Sequence, residues 1–115
     1  KDMIVRGGEN IYPREIEEFL YTHEAIADVQ VIGVPSKKFG EEVMAWVKIK
    51  SGYNLTKDEL HEFCKGKIAR YKIPRYWKFV DSFPLTVTGK IRKVEMREAA
   101  IIELGLQEVA KIKTA

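Results

Sequence analysis

Glu42-Val43-Met44-Ala45-Trp46-Val47-Lys48-Ile49-Lys50 decides the fold. Val43, Ala45, Val47 and Ile49 alternate with Met44, Trp46 and Lys48, so successive side chains point to opposite faces of a strand. The pattern predicts an antiparallel strand with one well-buried face. Before it, Asp28 to Val34 is a β-branched run closed by Pro35, which reads as a second, largely buried strand. Phe39-Gly40 lies in the polar connection between them.

Upstream, Met3-Ile4-Val5 and Ile11-Tyr12 are short apolar runs split by Arg6-Gly7-Gly8-Glu9-Asn10, the pattern of a glycine-tipped hairpin. Tyr12-Pro13 forces an extended residue and then offers proline at a first helical position. Glu15, Glu17 and Glu18 follow where acids favour the helix dipole. Ile16, Phe19 and Leu20 give one apolar face, so a helix is expected from Pro13 to about Thr22. Downstream, Thr56 and Glu59 form a capping box. The helix it starts carries Leu60, Phe63, Cys64 and Ile68 to about Ile68. His61 lies off that face as a solvated residue, and Cys64 lies on it as core. Arg70 to Arg75 is a basic connector, Tyr76 to Val80 a third strand. A last helix carries Val94, Met96, Ala99, Ala100 and Leu104, with Gly105 as its stop. The tail from Leu106 to Ala115 extends that helix or frays. The sum is an α+β domain: a small antiparallel sheet of about three strands plus an N-terminal hairpin, flanked by two or three helices.

The chain has 115 residues, net charge +3 and pI near 9.0, with one cysteine. That is one domain, mildly basic, with no internal disulfide; a reducing, cytoplasmic setting is the simpler expectation. No apolar run approaches membrane-spanning length and no signal peptide is visible. The start at Lys1-Asp2-Met3, already inside a strand-like pattern, reads as a piece of a longer protein.

Pro84-Leu85-Thr86-Val87-Thr88-Gly89-Lys90-Ile91 carries the chemistry. Thr88-Gly89 is a turn signal, and a lysine just past it is presented outward among hydroxyl and N–H donors, an environment for phosphate or carboxylate oxygen. It is not a P-loop: Pro84 stands where the first glycine belongs, and Ile91 replaces the Ser or Thr. Most turns ending in Gly-Lys are solvated loops, just as most Gly-Gly tips are plain hairpins.

Three stretches together resemble the C-terminal domain of the adenylate-forming superfamily, closest to AMP-forming acyl-CoA synthetases. They are Lys1-Asp2-Met3-Ile4 running into Arg6-Gly7-Gly8-Glu9-Asn10-Ile11-Tyr12-Pro13, then Tyr71-Lys72-Ile73-Pro74-Arg75, then Pro84 to Ile91. The resemblance implies that residues 1–115 are a mobile lid whose large N-terminal domain lies outside this chain. It implies a two-step reaction: acid plus ATP gives acyl-adenylate, and CoA thiol then displaces AMP. The acid expected is a medium- or long-chain fatty acid, with Mg2+ accompanying ATP on the large domain.

By match to the motifs, Lys90 is the adenylation lysine, and Thr88 and Gly89 form its loop. Lys1 matches the hinge, with Asp2 beside it. Gly7 and Gly8 match the thioester-step loop, flanked by Glu9 and Asn10. Phe39, Tyr71, Lys72 and Arg75 match positions that contact the CoA nucleotide in some members. Ile73 departs from the pattern, standing where certain members place a phosphate-binding arginine. Two other readings are a domain that loads a carrier protein, and a basic module that stacks nucleic acid on Tyr71, Tyr76 and Trp77. The first reading involves neither nucleic acid nor a transmembrane segment.

Overall fold

The computed structural model describes residues 2–113, and the side chains of residues 2–112. Lys1, expected at the hinge, lies outside the described residues. The strands are β1 (Ile4–Arg6), β2 (Glu9–Ile11), β3 (Ile26–Ser36), β4 (Gly40–Ile49) and β5 (Tyr76–Phe79). The helices are α1 (Pro13–Leu20), α2 (Lys57–Cys64), α3 (Lys93–Glu103) and α4 (Gln107–Lys113).

The long pair β3–β4 is the frame, in antiparallel register from Ile26 opposite Ile49 to Ser36 opposite Gly40. On the other edge of β4, β1 meets it only at Gly40, through Arg6, while β5 runs parallel from Met44 to Val47. The sheet is therefore antiparallel, as expected, except for β5, which a crossover through α2 brings back in the same direction as β4. Between β1 and β5, the edge of β4 keeps a gap, where the Val43 carbonyl accepts the Arg75 N–H at 3.0 Å.

Alternation along β4 separates two cores. Val43, Ala45 and Val47 pack with Ile16 and Leu20 of α1 and Leu60 and Cys64 of α2. Met44 and Trp46 pack with Ile32 and Val34 of β3 and Met96 and Ala100 of α3. Both faces of β4 are buried, where the sequence pointed to one; α3 covers the second. Leu60 is fully buried at the centre of the first core. Leu60→Ala should destabilise the domain by about 3 kcal/mol, the usual cost of a large-to-small core change, read as a shift in urea midpoint at unchanged m.

Helix ends differ from expectation for local reasons. In α1, Thr22 Oγ1 donates to the Phe19 carbonyl at 2.6 Å, and the chain leaves the helix at Tyr21. In α2 the capping box forms as expected, but Lys65 is extended and Ile68 closes only a turn back to Cys64. In α3 the apolar face is Met96 and Ala100; Val94, expected on it, is 65% exposed. After Gly105 the tail forms α4, a separate short helix.

Candidate functional site

At the hairpin tip, Gly7 and Gly8 have φ of 56° and 87°. Positive φ at both central residues is what a tight two-residue turn needs to match strand twist, and glycine supplies it without strain. The Gly7 N–H donates to the Phe39 carbonyl at 2.8 Å, and a Cβ on Gly7 would meet Phe39 Cδ1 at 3.1 Å. Apart from its chain neighbours, no atom of the described residues lies within 4 Å of a Cβ placed on Gly8, so the tip is open. Glu9 and Asn10 follow, exposed on the outer strand β2.

Phe39 is held from a second side. The Arg6 guanidinium carbon sits 3.8 Å from its ring centroid, a stacked cation–π contact. Arg6 Nε donates to Glu42 Oε1 at 2.7 Å, and that oxygen also accepts the Val43 N–H at 3.0 Å. Glu42 is 3% exposed, the one buried charged residue among those described, and this pairing satisfies it. Arg6 and Glu42 then join His61, Lys65, Arg70, Ile73, Pro74 and Arg75 around a cleft of about 480 Å³ in the gap between β1 and β5.

The connector residues separate on this geometry. Arg75 is exposed at the cleft. Tyr71 is half-buried against the first core and offers less than a free stacking surface. Lys72 turns away and pairs with both Glu15 oxygens at 3.0 and 3.1 Å; that hydrogen bond raises its pKa. Arg70 lines the cleft; Lys72 does not. Sequence reading passed over Arg70 and Glu42; a carboxylate placed at a buried position of an apolar strand is the signal that marks Glu42.

Residues 84–92 form a closed loop. Leu85 bridges Ile91, Thr86 N–H donates to the Lys90 carbonyl at 2.7 Å, and Arg92 N–H donates to the Pro84 carbonyl at 2.9 Å. Thr86 Oγ1 accepts the Lys90 N–H at 3.0 Å and lies 2.9 Å from Thr88 Oγ1. Gly89, at φ 87°, makes the turn. These bonds engage both threonine hydroxyls within the loop, and they fix the backbone under Lys90. The Lys90 side chain is exposed and makes no ion pair with the described residues. Lys90 does not line the cleft: its loop runs into α3, on the second core, whereas α2 flanks the cleft on the first. The basic connector and the Gly-Lys turn thus lie in two regions of one small body.

Cys64 is buried, and burial pushes its thiol up to about 11 from 9.0. The unfolded chain releases this proton first, so stability falls as pH rises from 9 towards 11. Cys64→Ala should remove that part of the fall, and the native thiol should resist a thiol reagent at pH 8 until the domain is unfolded. Both are readable by denaturation and labelling.

The profile of the AMP-binding enzyme C-terminal domain family matches residues 15–90. The putative acyl-CoA synthetase YngI of Bacillus subtilis (strain 168) is 63% identical over 101 residues, which are 88% of this chain and 18% of that protein. The mitochondrial medium-chain acyl-CoA ligase ACSF2 of Danio rerio is 55% identical over 106 residues, 92% of this chain and 18% of its own length. Among solved structures, apo MatB from Rhodopseudomonas palustris superposes with a TM-score of 0.84 at 35% identity, over 87% of this chain and 20% of that one. A Mycobacterium tuberculosis fatty acyl CoA synthetase gives 0.77 at 39% identity, over 85% and 19%. The chain thus spans about a fifth of the length of the proteins it matches. By sequence and by fold, this chain belongs to the AMP-binding enzyme C-terminal domain family.

Proposed function

We propose that this chain is the mobile lid of an ATP-dependent, AMP-forming acid–CoA ligase, working against a large N-terminal domain. The observation that carries this is the loop of residues 84–92, whose internal hydrogen bonds hold its shape without using the Lys90 ammonium, which is exposed and has no ion pair among the described residues. In the first step the acid carboxylate attacks the α-phosphate of ATP, pyrophosphate leaves, and charge builds on non-bridging oxygens. A fixed ammonium stabilises that charge once the large domain excludes water. At about 4 Å and an effective dielectric near 20, a charge pair is worth roughly 4 kcal/mol; on open surface the same lysine contributes about 0–1. Burial by the partner domain is therefore part of the mechanism.

In the second step the thiol of CoA attacks the acyl carbonyl and AMP leaves. The open tip at Gly8 suits passage of the pantetheine arm, and the cleft with Arg6, Arg70 and Arg75 suits the phosphates of the CoA nucleotide. That cluster favours CoA over a carrier protein, whose pantetheine arm has no nucleotide. A medium- or long-chain fatty acid is the substrate proposed, in keeping with the names of ACSF2 and of the Mycobacterium tuberculosis enzyme. The Mg2+ that accompanies ATP is proposed to sit on the large domain; among the described residues there is no group of three or more His, Cys, Asp or Glu side chains placed to hold a metal ion. No helix of the described residues is long and apolar enough to cross a membrane. The fold does not fix a compartment, since relatives named as mitochondrial share it.

The test is ATP–pyrophosphate exchange by the longer enzyme across a panel of carboxylic acids, with and without CoA. Exchange dependent on a fatty acid, with acyl-CoA appearing on addition of CoA, is the expected result. Exchange without acyl-CoA points to carrier loading, and no exchange with any acid overturns the reading.

A further inference from the structure

The start of the chain and the start of α3 are distant in sequence and joined by charge. Lys93 Nζ lies 2.6 Å from Asp2 Oδ2 and 2.8 Å from Glu17 Oε2. The same Glu17 oxygen accepts the Val31 N–H at 2.8 Å, which anchors the pair to β3. One turn further along α3, Arg97 donates to the Gly33 carbonyl and lies 3.3 Å from Glu41 Oε2. The other Glu41 oxygen accepts the Val5 N–H at 2.8 Å. Asp2, Glu41, Lys93 and Arg97 line one cleft of about 250 Å³. The first turns of α3 thus hold the segment leading through β1 directly at Asp2, and reach Val5 only through Glu41 of β4.

The Asp2 side chain is 56% exposed, but Lys93 and Glu17 are 27% and 15% exposed, so the contact to Asp2 is one arm of a linked network with a part-buried centre rather than an isolated ion pair. Lys93 also stands three residues after Lys90, and Asp2 directly follows the position matched to the hinge.

We propose that Lys93 is a positioning residue for adenylation. It clamps the hinge-side end of the domain to the helix that carries the Lys90 loop, so that the two move as one body. The inference rests on the lid reading above. It also revises the expectation for Asp2: this residue travels with the lid, and the swing is taken up before it. A rotation at the hinge then reaches Lys90 without slack. Slack is costly, because a misplacement of about 1 Å at a reacting group costs about a hundredfold in rate.

The test compares Asp2→Asn, Lys93→Met, the double variant and Lys93→Arg in the longer enzyme, by acid-dependent ATP–pyrophosphate exchange. Each neutralising variant should lower kcat about tenfold, with KM for acid and ATP within about twofold. The double variant should be no slower than Lys93→Met, and Lys93→Arg should keep most of the rate. Single effects that multiply overturn the proposal, as does full kcat in Lys93→Met with a lowered melting temperature, which marks a structural role only. Asp2→Asn, a near-isosteric change at a side chain that is 56% exposed, carries the test if Lys93→Met folds poorly. Lys90→Ala run in parallel separates the two claims. Exchange that survives Lys90→Ala sinks the lid reading itself. Exchange lost there but intact in Asp2→Asn and Lys93→Met sinks the clamp alone.

Discussion

Lys90→Ala in the longer enzyme should cut adenylation by about a hundredfold or more, while thioester formation from supplied acyl-adenylate continues near its normal rate. The size follows from what is lost. A cation aimed at developing charge in a dry site is worth several kcal/mol, and each 1.36 kcal/mol is about tenfold in rate. The selectivity follows from the architecture: Lys90 is carried on the α3 side, and the glycine tip and cationic cleft belong to another part of the body. The truncation should leave the fold alone. The loop around Lys90 is held by backbone and threonine bonds that do not use the ammonium, so the melting temperature should not move. Equal loss in both half-reactions would count against Lys90 as an adenylation residue.

Gly8→Leu should do the reverse, sparing pyrophosphate exchange and lowering thioester formation by about a hundredfold. Apart from its chain neighbours, no atom of the described residues stands within 4 Å of where a Cβ on Gly8 would lie, so a side chain can leave the backbone there without a clash at its first atom. What it obstructs, on the function proposed above, is the path of the CoA thiol past the tip. Its folded-state cost is the positive φ of 87°, about 1–2 kcal/mol for a side chain in that region. A drop of several degrees in melting temperature is therefore expected and does not explain a step-selective loss. At Gly7 the result differs, since a side chain there presses on Phe39 and shifts the ring that Arg6 stacks upon. If adenylation fell as far as thioester formation in Gly8→Leu, the tunnel role would be wrong.

The frame was legible because period-two alternation is a strong signal: Val43, Ala45 and Val47 on one side and Met44 and Trp46 on the other are where β4 puts them. The glycine hairpin and the capping box at Thr56 were legible because their chemistry is local. What was not legible depends on contacts between distant residues. The direction of β5 is set by how α2 returns the chain, which no local pattern encodes. Lys72 turns from the cleft because Glu15, 57 residues earlier, is there to pair with it. Val94 looked like part of an apolar face, but the register of α3 is fixed by Met96 and Ala100. The clamp of Lys93 on Asp2 spans 91 residues, and nothing at either end announces it. The motif residues, by contrast, were found through family resemblance, since physics alone favoured plain turns.

The central claim is that one lid presents Lys90 in the first step and the glycine tip in the second. The most direct measurement is a distance between two labels on the longer enzyme. One label goes on the large domain and one on Asp58→Cys, at the exposed start of α2, where buried Cys64 does not compete for the label. With acid and ATP, and then with a non-hydrolysable acyl-adenylate analogue and CoA, the account predicts two distinct distance distributions. Lys90→Ala should change the occupancy of the first far more than that of the second. A single distribution, unchanged by CoA, would contradict it.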